Sequence, residues 1–131
     1  MVEMAGPIVF ISHQRVKAGR FDEFAAFFAE GSRAIEADKP GTVVFLGFTD
    51  ADRGKTRIVH VFPDADAMDR HIQGADERSA KAYEFLEPLE IDVYGSTSPG
   101  VVAEIEGLAG HGVRVRLMPE LVDGYVRAFT R

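Results

Sequence analysis

The chain of 131 residues carries 15 Lys and Arg against 21 Asp and Glu, a formal net charge of -6, and 46% of its residues are hydrophobic. That length and apolar content suit a single domain whose core buries about two thirds of the unfolded surface, and an acidic balance without any run of Lys or Arg excludes attraction to a duplex phosphate backbone. The absence of cysteine excludes a disulfide framework, thiolate metal ligands and a Cys nucleophile, and fits a reducing cytoplasmic compartment.

The opening MVEMAGPIVFISHQ has no charged segment ahead of an apolar stretch, and the apolar run from Pro7 to Ile11 is too short to span a bilayer, so no membrane partner is expected. From Ile8 to Val16 the β-rich residues, bounded by Gly6-Pro7 and Ala18-Gly19, predict a first strand with a polar second half in Ser12, His13 and Gln14. One side of that polar end faces the interior by alternation, and either Ser12 and Gln14 or His13 fits. The period then changes. Phe21, Phe24, Phe28 and Ile35 recur at helical spacing with Glu23, Glu30 and Glu36 elsewhere on the wheel, which predicts an amphipathic helix ended by Pro40 and Gly41.

TVVFLGFT and TRIVHVF, separated by DADRGK, predict a hairpin in which Ile58, His60 and Phe62 point one way and Val59 and Val61 the other. PDADAMDRHIQ predicts a second helix with Asp64 or Asp66 as its N-cap, interrupted at Gly74 and restarting behind Asp76 until Pro88 closes it. LEIDVYG reads as a fourth strand, SPGVVAEIEGLAGHG as a short helix capped by Ser98 with Pro99 at its first position, and VRVRLM as a half-exposed fifth strand with a tail. The order up to Tyr94 is β-α-β-β-α-β, an α+β ferredoxin-like antiparallel sheet with two helices on one face; residues 7–96 form the core of one domain and 97–131 a C-terminal extension. Strands apolar on both sides leave the second face in need of cover, which predicts a homodimer packed sheet to sheet, with the C-terminal strand reaching the partner.

Four stretches, VKAGRFDEF, KPGTVVFLGF, HVFPDADAMDRHI and LEIDVYG, together resemble the antibiotic biosynthesis monooxygenase domain of the dimeric α+β barrel superfamily, over Ile8 to about Ser96. The closing VRVRLMPELVDGYVR is similar to the extra strand of a subset of such proteins. The family pattern of an aromatic residue ahead of a helix histidine is matched by Phe62 and His71; where the family commonly carries an acid two residues before that aromatic, this chain has His60. The resemblance implies a cavity between helices and sheet, holding a small aromatic or quinol-type molecule that O₂ oxidises with no metal, flavin or other cofactor. Such a reaction needs a base for a phenol and a partner for the anion, and a neutral imidazole suits the first role.

His71 shares a helical stripe with Met68, Ile72 and Ala75, so it faces inward either as a hydrogen-bonded core or seam residue or as the catalytic group of a pocket. As substrate contacts the sequence offers His60, Ser12, Gln14, Phe62, Met68, Phe24, Phe28 and Tyr83; for the phenylalanines the plainer role is core packing, and for Tyr83 a hydroxyl at the surface. Asp64, Asp66 and Asp69 cap and solvate a helix start, and with four scattered histidines no dedicated metal site is expected. There is no P-loop, dinucleotide fingerprint or nucleophile elbow. Two other functions fit the same architecture. One is heme binding or degradation with His71 on iron, against which the absence of tryptophan counts. The other is a non-catalytic ligand-binding or structural dimer.

Overall fold

The computed structural model describes residues 6–127. Its elements run β1 (Ile8–Val16), α1 (Phe21–Asp38), β2 (Val44–Thr49), β3 (Lys55–Phe62), α2 (Ala65–Ile72), α3 (Ala75–Ala82), β4 (Leu86–Tyr94), α4 (Pro99–Ala109) and β5 (Arg114–Met118). They form one five-stranded sheet in the order β2-β3-β1-β4-β5. The first four strands pair antiparallel, as the ferredoxin-like reading requires, and β5 pairs parallel to β4. No helix among the described residues is long and apolar enough to cross a membrane.

Local chemistry sets the helix ends. Asp64, not Asp66, caps α2, its Oδ1 accepting from the Ala67 N–H at 2.9 Å. Ser98 caps α4 with Pro99 at the first position. Gly74 takes φ +81°, a left-handed conformation that side chains resist, and so separates α2 from α3. One expectation is corrected. The helix after Gly74 starts at Ala75 and ends at Ala82, and Pro88 lies inside β4 instead of closing it. Phe85 and Leu86 are drawn into the core beside Val16 and Phe24, which ends the helix early; Pro88 sits at a β1–β4 register shift, and β5 pairing begins only at Glu90, so its missing N–H is tolerated there. The C-terminal strand β5 adds to the same sheet parallel to β4, because α4 supplies the crossover a parallel neighbour needs. The sheet is therefore mixed.

All the helical cover lies on one face. Ile8, Phe62, Ile91 and Val93 meet Met68 of α2 and Val101 and Ile105 of α4, while Val16 and Leu86 meet Phe24 of α1. The opposite face carries Val9, Ile11, Val59 and Val61, half-buried, with Leu46 and Phe48 at 49% and 56% exposure on the β2 edge. Behind β5 the chain leads to exposed Leu121, Val122, Tyr125 and Val126; the last two border an apolar cleft with Pro7, Val9, Val44 and Val61.

Candidate functional site

Three residues line up across neighbouring strands on the helix-covered face. His60 of β3 stands opposite Phe10 of β1 and Phe45 of β2. The Phe10 ring stacks on the His60 imidazole at 4.7 Å, and Phe45 meets it edge-on at 5.2 Å. From above, the Asp64 cap phases α2 so that Met68 and His71 turn inward, bringing the His71 ring to 5.1 Å from that of His60 at an interplanar angle of 83°. Phe62 lies 5.2 Å from His71, and Phe28 of α1 stacks on Phe45 at 5.0 Å. Glycine at position 47 permits this approach, since a Cβ there would stand 2.9 Å from the Phe28 ring. The two imidazoles thus sit at the seam between the α1 core and the α2–α4 core, walled by phenylalanine.

Each ring is anchored through Nδ1. His60 Nδ1 lies 3.0 Å from the Phe10 carbonyl oxygen, and His71 Nδ1 lies 2.7 Å from Thr42 Oγ1. Neither Nε2 has a hydrogen-bond partner among the described residues, and no buried side-chain nitrogen or oxygen among them lacks one, so both Nε2 atoms keep some accessible surface. Burial holds both rings neutral. Desolvation pushes His60 down to about 4, partly opposed by its bond to the Phe10 carbonyl. Desolvation, then the neighbouring His60, then Arg78 and Lys39 push His71 down to about 3. Those two cations also close the C-terminal end of α2: Arg78 Nη2 donates to the His71 carbonyl at 2.6 Å and Lys39 Nζ to that of Arg70 at 2.7 Å, where positive charge suits the helix dipole.

Of the residues singled out in the sequence, His71, His60, Phe62 and Phe28 come together here. Met68 lies one turn before His71 and is wholly buried in the core, and Phe24 stands behind Phe28 at 5.8 Å. Ser12 and Gln14 face the same side of the sheet, farther along β1, where the Gln14 carboxamide is hydrogen-bonded to Ser12 Oγ at 2.7 Å and Thr56 Oγ1 at 3.0 Å as a separate polar cluster. Tyr83, 41% exposed just past α3, takes no part. Phe10, Phe45 and Thr42 were not foreseen. Strand alternation from Ile8 would have found Phe10 and pairing with His60 would have found Phe45, whereas no local signal marks Thr42.

His13 lies on the open face. With Glu90 and Asp92 it forms the one group among the described residues whose side chains could offer three metal ligands, within 4.8 Å of one another. Its Nε2 already stands 2.9 Å from Asp92 Oδ2, and Arg116 reaches Asp92 at 3.4 Å and Glu90 at 3.6 Å, so the carboxylates are neutralised by side chains of the same face.

No protein-family model and no curated protein matches this sequence. Solved structures do. MupZ from Pseudomonas fluorescens aligns with a TM-score of 0.70 over 93% of this chain and 95% of its own, at 15% identity. SnoaB from Streptomyces nogalater, a cofactor-independent oxygenase, aligns at 0.59 over 72% and 96%, at 22% identity. A candidate antibiotic biosynthesis monooxygenase from Caulobacter crescentus aligns at 0.61 over 72% and 93%, at 17% identity. The chain has the ferredoxin-like fold of the antibiotic biosynthesis monooxygenase type, and the likeness to MupZ extends over a larger share of it than the other two.

Proposed function

We propose that this protein is a cofactor-independent monooxygenase acting on a small aromatic, quinol-type substrate held over the His60–His71 pair. The observation that carries this reading is two buried imidazoles edge to face at 5.1 Å, each with no partner for Nε2 among the described residues, inside a wall of phenylalanine rings. Phenylalanine faces and edges suit an aromatic guest. A phenol placed there loses its proton to one imidazole, and the other holds the resulting oxyanion. The low basicity of a desolvated imidazole is offset at that moment, because the imidazolium forms beside the aryloxide that created it. The electron-rich anion then supplies both electron pairs that O₂ takes up: one oxygen atom bonds to a substrate carbon whose C–H bond breaks, and the other leaves as water with that proton and the one held by the imidazolium. SnoaB supports the reading as a cofactor-independent oxygenase of the same fold, and the cysteine-free composition fits a reducing cytoplasm.

Oxygen uptake with an anthrone or a naphthoquinol tests it. The expected result is saturable uptake above autoxidation, with His71→Gln lowering kcat by about 10²-fold or more, the usual contribution of a proton-transfer or oxyanion partner. Uptake no faster than autoxidation for both substrates would sink the oxygenase reading.

We also propose that a second copy of the chain covers the open sheet face. Leu46, Phe48 and the half-buried valines of β1 and β3 make an apolar area continuous with the exposed Tyr125 and Val126, and the adjoining charged half, Glu90 and Asp92 with Arg114 and Arg116, carries both signs and is complementary to itself. Sedimentation equilibrium should give a dimer that Phe48→Glu converts to monomer; a monomeric wild type at micromolar concentration would refute the arrangement.

A further inference from the structure

The partners of the two Nδ1 atoms decide what each Nε2 can do. A carbonyl oxygen only accepts, so His60 Nδ1 carries the hydrogen that reaches Phe10 at 3.0 Å, and in the neutral ring its Nε2 is a bare lone pair. His71 is held by a hydroxyl, which could donate or accept. The Thr42 side chain has no other hydrogen bond among the described residues, and 2.7 Å is the usual length for a hydroxyl donor and the short end of the range for a ring N–H. With Thr42 as the donor to His71 Nδ1, the hydrogen of that ring stands on Nε2.

We infer that the two histidines work in opposite senses on a substrate hydroxyl: His60 Nε2 accepts its proton, His71 Nε2–H holds its oxygen, and Thr42 is the positioning residue that sets this polarity. The inference rests on the reading of the pair as the ligand site and adds the direction of proton flow to it. In the step itself the substrate O–H bond breaks, its proton bonds to His60 Nε2, and the electron pair stays on the oxygen, which accepts from His71. The Phe10 carbonyl strengthens His60 for this task, since it faces the Nδ1–H that becomes more acidic as the ring takes up charge. His71 has no such acceptor, and Lys39 disfavours a positive ring there in addition to Arg78, which acts on both histidines. Reversing the roles would place the new cation on the less suited residue.

Two measurements test this without requiring turnover. In the ¹⁵N spectrum of histidine-labelled protein near pH 7, His60 should appear with hydrogen on Nδ1 and His71 with hydrogen on Nε2; Thr42→Val should let His71 populate the other form, and Thr42→Ser should restore it. Titration with 1-naphthol and 1-methoxynaphthalene should then favour the phenol by about tenfold or more, because the ether cannot donate to His60, and His60→Phe should abolish the difference. His71 found with hydrogen on Nδ1 in the wild type overturns the assignment. So does 1-naphthol binding no better than its ether, or not binding at all. The expected tautomers and phenol preference in a protein that consumes no oxygen would sink the oxygenase and leave this division of roles standing.

Discussion

Phe62→Ala is expected to cost about 3–5 kcal/mol of folding stability, the range for deleting a large aromatic side chain from a packed interior. Phe62 is 0% exposed. It pairs with Ile8 across β1 and β3, lies in the same cluster as Met68, Val93 and Ile105, and supports the His71 ring at 5.2 Å. The neighbours that would have to collapse into the space belong to a sheet on one side and a capped helix on the other, so relaxation is limited. Against a typical total of about 5–15 kcal/mol, this is a large fraction. Urea unfolding checks it, with Phe48→Ala as comparison: Phe48 is 56% exposed on the open face and its loss in the monomer should stay within about 0.5 kcal/mol. A cost for Phe62→Ala below about 1 kcal/mol would mean that the seam between the two core clusters is not packed as described.

Acid should unfold the protein more readily than its carboxylates alone would. His60 and His71 titrate near 6.5 in the unfolded chain but are pushed down to about 4 and about 3 in the fold. Between these limits the unfolded state binds protons that the folded state refuses, so stability rises with pH through the window and falls as pH drops from about 6.5 towards 4. Each unit of separation corresponds to about 1.4 kcal/mol, and two such histidines place the loss on the order of several kcal/mol at pH 4. The clearest interval is pH 6.5 to 5, above the range where most carboxylates protonate. There the urea midpoint of the wild type should fall steadily, while that of a folded His60→Gln, His71→Gln double variant should stay nearly level. A flat wild-type profile over that interval would show that the imidazoles are solvated or already charged. The same depression bears on activity, because rings kept neutral at pH 7 present a lone pair and an N–H to a substrate, whereas two protonated rings could only donate.

The two faces of the sheet divide the chemistry of the molecule. The covered face holds neutral, aromatic and desolvated groups, and the open face holds Leu46 and Phe48 at one end and the His13, Glu90, Asp92 and Arg116 cluster at the other. Arg78 and Lys39 bring positive charge to the end of α2 beside His71.

Much of this molecule can be read from short-range pattern. Alternation gives β1 and puts Ile58, His60 and Phe62 on one side of β3; the spacing of Phe24, Phe28 and Ile35 gives α1; Asp64, Ser98 and Pro99 mark helix starts; and the stripe of Met68 and His71 fixes which way α2 faces. These features depend on residues within a turn or two of one another, where backbone geometry dictates which side chains share a side. The element boundary after α3, the parallel placement of β5 and the position of Pro88 within a strand depend instead on what Leu86 and Glu90 meet across the sheet. The meeting of His60 with His71 is of the same kind. It requires the register that sets Phe10 and Phe45 beside His60, the packing that lowers α2 onto that row, and the loop that delivers Thr42 to His71. The sequence by itself determined that His71 is turned inward and that His60 shares a side of its strand with Ile58 and Phe62; only the tertiary structure decided that this side is the covered one and that the two rings meet at 5.1 Å, because register and layer packing join residues far apart in the chain and leave no periodic trace along it.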